Sequence, residues 1–246
     1  MLNLKNKICI VTGCNGYVGK TIVKKLYALG VKVIGTDIIQ KNDKKLKYFY
    51  KLDLNKKIEI ENFAKIINRK FKKIDILVNN ASYVGTSKVG KNNFEKTFYN
   101  EKFERLNLTN TIYFTNLILK NLQKSKSSSI INISSIYSLL GFDYNLYKGT
   151  NMKTPLAYGI SKAGLSHFSK MLSSALPPNI RVNSISPGGI YRRQPKKFIK
   201  KYLKKTPLKR MCREEDVANA VVFFSSDLSN YITGQNLIID GGYSAS

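Results

Sequence analysis

The chain has 246 residues, 43% of them hydrophobic, and 42 basic against 15 acidic side chains give a formal charge of +27. That length suits one α/β domain with a sizeable core, the apolar fraction excludes global disorder, and no apolar run approaches the ~18 residues a membrane helix needs. The basic residues are 35 Lys against 7 Arg, scattered from end to end beside abundant Asn and Ile. That reads as a compositional habit rather than a phosphate footprint, so a nucleic-acid partner is not expected. Met1 to Lys7 run straight into an apolar segment without a cleavage pattern. Cys9, Cys14 and Cys212 are unevenly spaced with no metal-ligand pairing, which fits reduced thiols in a cytoplasmic protein and no metal site.

Lys7 to Val11 reads as a buried strand, followed by a turn with glycines at 13, 16 and 19. Val18, Ile22, Val23, Leu26 and Leu29 then carry a helical period that ends at Gly30. Val31 to Thr36 forms a second short strand closing on Asp37. A strand, a glycine turn, a helix and a strand ending in an acid together suit a dinucleotide. Glycines let the backbone turn tightly against a pyrophosphate held at the helix N-terminus. Asp37 would accept hydrogen bonds from the adenosine ribose hydroxyls and repel a 2′-phosphate, and Ile38 and Ile39 follow it without a cation. NAD is therefore favoured over NADP.

Tyr48 to Leu52 resembles a third strand ending at Asp53, and a lysine-rich helix follows over about 56–72. Ile74 to Val78 is a fourth strand ending in Asn79-Asn80-Ala81, and Ser82 to Asn93 a loop. A long amphipathic helix over about 94–123 contains Asn107, either buried with partners or facing solvent. Ile130 to Ser135 is a fifth strand ending in two hydroxyls, and Ile180 to Ile185 a sixth ending in Ser186-Pro187-Gly188-Gly189. Glu214 to Phe224 is helical, and Leu237 to Ile239 is a seventh strand. The alternation implies a single-domain, Rossmann-like, doubly wound parallel sheet of seven strands with helices on both faces. Polar and glycine signals gather at the strand C-terminal ends, where such sheets bind ligands.

Tyr158 and Lys162 stand four apart and share one helix face. A neighbouring ammonium favours a phenolate, lowering the tyrosine pKa and making it a usable acid/base. Tyr144 and Lys148 have the same spacing, but they lie among turn residues with no apolar periodicity after them. Tyr158 is followed by Ala163, Leu165, Phe168, Met171 and Leu172, a candidate buried face, and is the better choice. His167, the only histidine, reads as a surface or packing residue.

With Thr12-Gly13, Asp53-Leu54, Asn79-Asn80-Ala81, Asn107, Ser134-Ser135, Tyr158 with Lys162, Pro187-Gly188, Thr233-Gly234-Gln235 and Asp240-Gly241-Gly242 in order, the chain resembles the short-chain dehydrogenase/reductase family over nearly its whole length. The resemblance implies that Tyr158 is the acid/base for an alcohol or carbonyl oxygen. Lys162 would lower its pKa and hold the nicotinamide ribose, and Ser135, rather than Ser134, would bond the same oxygen. Asn107 would hold a water that relays protons from Lys162. It also implies cofactor contacts from Gly13, Asn15, Gly16, Tyr17, Val18, Gly19, Asp53, Leu54, Asn80, Ala81, Tyr158, Lys162, Pro187, Gly188 and Ile190, and a homo-oligomer, dimer or tetramer.

Three features depart from the family pattern. The glycine spacing is more typical of its extended, sugar-nucleotide-modifying branch. Ser135 and Tyr158 lie farther apart than usual, and the extra segment, Phe142 to Lys153, is expected to loop over the active site. Arg192 stands where a threonine that contacts the cofactor amide is common. The stretch from Tyr137 to Tyr158 looks like that of dehydrogenases in bacterial surface-sugar and flagellin-modification clusters. In the family, about 188–212 is a mobile substrate lid. Here Arg192 to Arg210 holds ten basic residues and no acid, so either an anionic small-molecule substrate meets Lys200, Lys201 and Lys204, or these are a solvated lysine face. The expected activity is hydride transfer on a sugar-derived alcohol or ketone. The alternatives are a 3-oxoacyl-carrier-protein reductase, expected to use NADPH, and a non-catalytic dinucleotide-binding protein.

Overall fold

Isoleucine and valine runs build the sheet. In the computed structural model, which describes residues 4–40, 46–84, 101–152 and 154–245, the strands are β1 Ile8–Thr12, β2 Lys32–Asp37, β3 Tyr48–Lys51, β4 Ile76–Asn79, β5 Ser128–Ile133, β6 Ile180–Pro187 and β7 Asn236–Ile239. Every residue of β4, β5 and β6 is buried, as a parallel sheet covered on both faces requires. All pairings are parallel, in the order β3-β2-β1-β4-β5-β6-β7. The order reverses at β1, whose neighbours are β2 and β4. A crevice opens at such a switch point, above the strand C-termini.

Alternation along each strand sorts its side chains between two cores. Val11, Val33, Val78 and Ile131 point one way, against α1 (Tyr17–Ala28) and α7 (Glu214–Ser225). Ile10, Ile34, Leu77 and Ile130 point the other way, against α2 (Lys57–Lys70) and α3. The α3 element is an α-turn Glu101–Glu104, a π-helical stretch Arg105–Thr109 and an α-helix Asn110–Gln123 in succession. Leu172 of α5 (Leu156–Ala175) packs on the same core. Expected and observed boundaries agree to within about two residues at most ends. Most of the expected loop 82–93, the expected helix start at 94–100, Lys153 and Met1 lie outside the described residues.

Two expectations change. Of the face expected for α5, Leu165 is buried and Leu172 packs on the core, but Met171 is 58% exposed, and Ala157, Ser161, Lys162 and Ser169 are buried beside Leu165. Small polar residues can be buried there because each finds a partner. Asn79 Nδ2 donates to Asn132 Oδ1 (2.7 Å) and Thr115 Oγ1 (2.9 Å), and Asn132 Nδ2 donates to Ser169 Oγ (2.8 Å), so β4, β5, α3 and α5 are cross-linked by a dry polar chain. The segment expected to be turns around Tyr144 forms a short helix α4, Tyr144–Tyr147, whose N-cap Asp143 accepts from Asn145 N.

A third apolar cluster lies above the strand ends. Ile136, Leu146, Phe198, Tyr202, Met211 and Tyr243 join α4 to α6 (Lys196–Lys204). It raises a wall on one side of the crevice.

Candidate active site

A cleft of about 640 Å³ lies across the strand C-termini. Every cofactor candidate borders it: Gly13, Asn15, Gly16, Tyr17, Val18, Gly19, Asp37, Asp53, Leu54, Asn80, Ala81, Pro187, Gly188 and Ile190. So do Ser135, Tyr158 and Lys162, together with Ser134.

The glycine turn is built for close approach. Gly13 has φ of +64°, and a Cβ there would stand 2.9 Å from the Ala81 backbone, while one on Gly19 would overlap the Gly13 carbonyl. Asn80 Nδ2 donates to both Thr12 O (2.9 Å) and Gly13 O (3.0 Å), so its amide fixes the turn. Helix α1 begins at Tyr17 with no side-chain cap and no acid in its first turn. Its leading N–H groups suit an anion.

At the end of β2, Asp37 Oδ2 accepts from Asn15 N (2.9 Å) and Oδ1 from Ile39 N (3.0 Å). The carboxylate is thus pinned beside the glycine turn. A nicotinamide dinucleotide fits these residues: the glycine cradle and helix terminus for its diphosphate, and the fixed carboxylate for a ribose diol.

At the other end of the cleft, Ser135 Oγ accepts from Tyr137 N (3.2 Å) and its side chain lowers the pKa of neighbouring Tyr158. Lys162 is 2% exposed, donates to Ile133 O at 2.8 Å and lies 5.9 Å from the Tyr158 ring centroid. Burial lowers its pKa to about 7. Burial is also the largest influence on Tyr158 and raises its pKa, against the lowering effects of the Ser135 hydrogen bond and the Arg192 charge. The balance differs from the sequence expectation: burial of the phenol, and not the Lys162 ammonium, is the largest influence on Tyr158. Ser134 has a structural part, donating to Lys162 O (2.9 Å) and accepting from Ser166 Oγ (2.8 Å). Tyr144 and Lys148 are exposed and do not border the cleft.

A family model described as enoyl-(acyl carrier protein) reductase matches residues 16–244. A short-chain dehydrogenase from Leptospira borgpetersenii, solved with bound NAD+, superposes with a TM-score of 0.85 at 31% identity, over 98% of this chain and 93% of that one. The chain belongs to the short-chain dehydrogenase/reductase family. Among curated relatives of this short-chain dehydrogenase/reductase, a 3-oxoacyl-[acyl-carrier-protein] reductase from Buchnera aphidicola is 33% identical over 98% of both chains. A post-translational flagellin modification protein A from Campylobacter coli is 32% identical, over 98% of this chain and 99% of that one. The chain is therefore an oxidoreductase of a family that uses a nicotinamide cofactor and small-molecule substrates. Among the described residues no helix is long and apolar enough to cross a membrane.

In this short-chain dehydrogenase/reductase Asn107 is 1% exposed and sits behind the cleft, inside the π-helical stretch. Its Oδ1 accepts from Tyr83 N (2.7 Å) and Ser82 Oγ (3.2 Å), and its Nδ2 donates to Tyr83 O (3.0 Å) and Ser161 Oγ (3.2 Å). The side chain ties the loop after β4 to α5. Helical periodicity alone could not choose between burial and exposure here.

The sequence did not single out the substrate-side wall. Tyr137 and Tyr147 share a hydrogen bond of 2.8 Å, and Tyr147 and Thr154 another of 2.8 Å. Met152, Phe198, Tyr202 and Met211 complete the wall. The insertion thus borders the site through Tyr147 and Met152, and Thr154 just after it does so too. No lysine of α6 borders the cleft. Lys201 Nζ donates to Asn145 O (2.5 Å) and Lys148 O (2.9 Å), and Lys205 pairs with Asp143 at 2.6 Å. Lys201 and Lys205 thus tie α6 and its C-terminal end to the insertion.

Proposed function

We propose that the protein is an NAD-dependent dehydrogenase acting on a secondary alcohol or ketone of a sugar, sugar phosphate or nucleotide sugar in surface-glycan building. The observation that carries the cofactor preference is Asp37, held by two backbone amides where an adenosine ribose would lie, with Ile38 and Ile39 and no cation immediately after it. A 2′-phosphate there would meet a fixed negative charge. The phenol-and-hydroxyl wall of Tyr137, Tyr147 and Thr154 suits a polyhydroxylated substrate, and the flagellin-modifying relative supports that class.

Within the chain, Tyr158 gives its proton to the substrate oxygen in reduction and takes it back in oxidation. Ser135 bonds the same oxygen and orients it. Lys162 sits behind Tyr158 and regains its charge when acceptors come within reach of Nζ. When bound, the nicotinamide supplies or accepts the hydride. A pKa above the ordinary phenol value keeps Tyr158 in its acid form through neutral pH, which suits carbonyl reduction. Alcohol oxidation is accordingly expected to accelerate as pH rises.

The test is nucleotide binding by calorimetry, NADH against NADPH, in wild type and Asp37→Ala. NADH preference of about tenfold or more, lost in the variant, is the expected result. A wild type preferring NADPH would sink the NAD reading. It would favour a reductase of carrier-bound 3-oxoacyl chains, the class of the Buchnera relative.

A further inference from the structure

Arg192 is the residue that the proposed chemistry leaves unused. It borders the cleft from the β6 side, and its guanidinium carbon lies 5.0 Å from the ring centroid of Tyr17, the first residue of α1, on the opposite bank. Tyr17 is itself 65% exposed. The backbone that carries Arg192 is anchored on both sides. Ile190 bridges to Cys212, Tyr191 N donates to Cys212 O (2.9 Å), Arg192 N donates to Gln194 Oε1 (2.7 Å), and Gln194 Nε2 donates to Ile190 O (2.7 Å). The next residue, Arg193, has φ of +57°, in the left-handed region a non-glycine residue enters only at a cost.

The electrostatics of this placement are unfavourable as they stand. The N-terminus of a helix carries positive partial charge, and a cation over it has the wrong sign for the macrodipole. Helix α1 has no acid in its first turn to compensate, and that turn also holds Lys20. The helix terminus and Arg192 both present positive charge to the cleft, which an anion between the banks would satisfy, and a planar guanidinium can bind phosphate oxygens in pairs.

We propose that Arg192 and Tyr17 form a strap across the cleft, the guanidinium clasping the diphosphate of the dinucleotide and the Tyr17 ring holding it in place. The strap rests on the dinucleotide reading given above. It assigns Arg192 to the cofactor diphosphate and not to the substrate.

The experiment titrates wild type, Arg192→Ala and Arg192→Lys with NADH by fluorescence, and with ADP-ribose, which has the diphosphate but no nicotinamide, by calorimetry at two salt concentrations. Arg192→Ala is expected to raise Kd for both ligands about tenfold and to flatten the salt dependence, with Arg192→Lys in between. Arg192 is exposed, so circular dichroism should show the variants folded. Unchanged ADP-ribose affinity in Arg192→Ala overturns the strap alone. So does a loss confined to NADH, which would put the guanidinium at the nicotinamide end. A wild type that binds neither ligand overturns the dinucleotide reading and the strap with it.

Discussion

Two adjacent serines close β5, and their surroundings separate them. Ser135 faces Tyr158 across the cleft, whereas the Ser134 hydroxyl is spent on Lys162 O and Ser166. Removing the Tyr158 hydroxyl takes away the proton donor, so Tyr158→Phe should cut kcat by about 10²–10⁴-fold while leaving the NADH Kd unchanged. Ser135→Ala should likewise cost activity at constant cofactor affinity. Ser134→Ala should act on folding, removing the acceptor of the Ser166 hydroxyl and a second hydrogen bond to Lys162 O, and lowering stability by about 1 kcal/mol in denaturant melts. Equal kinetic losses in both serine variants would contradict this division. Tyr158, Lys162 and Ser135 were legible because their chemistry is local: a spacing of four and a strand end. The electrostatic balance around Tyr158 was not, because it depends on how deeply the phenol is buried, which spacing does not encode.

At the level of elements, the lid helix α6 shows how a charge pattern can mislead. Lysines at four-residue spacing oppose an apolar face, which suggests a search for an anion. Two partners instead come from the insertion: main-chain oxygens at the end of α4 for Lys201, and Asp143 for Lys205. Phe198 and Tyr202 on the apolar face pack with Leu146, so lid and insertion form one unit. Lys201→Ala should loosen the unit without unfolding the protein. Amide exchange over 143–152 should speed up by about tenfold, with little change for exposed Lys200→Ala. Equal exchange in the two variants would contradict the latch. The sequence placed the insertion near the site but could not supply its partners, which lie more than 50 residues away. The same blindness applies to α5, where apolar counting chose Met171, which is exposed, while Ser161, Lys162 and Ser169 are buried beside Leu165. Those polar residues are tolerated only because β4, β5 and α3 bring hydrogen-bond partners to the same place.

For the whole molecule, the seven strands and their parallel, doubly wound class were readable because buried parallel strands are near-continuous apolar runs; the strand order, which depends on pairing across the chain, came from the structure. What the fold spends on function appears in Lys162. Its pKa is about 7 in the folded protein against an ordinary value near ~10.4. Below pH ~7 both states are protonated, and the cost of burying the charge is present in full. Between ~7 and ~10.4 the unfolded chain holds more protons than the folded one, so stability rises with pH across that window. Lys162→Met should be the more stable protein at pH 6 and should lose that rise, with the two curves converging toward pH 10. Parallel curves in urea melts would refute the assignment. One further property follows from how Lys201 holds the insertion. It grips main-chain oxygens, which every amino acid carries, while the reacting groups are rooted separately in β5 and α5. The Lys201 grip on the pocket wall therefore does not depend on which side chains the insertion carries, so substrate-facing side chains can change while Asp143 and Leu146, which also fasten the insertion, stay.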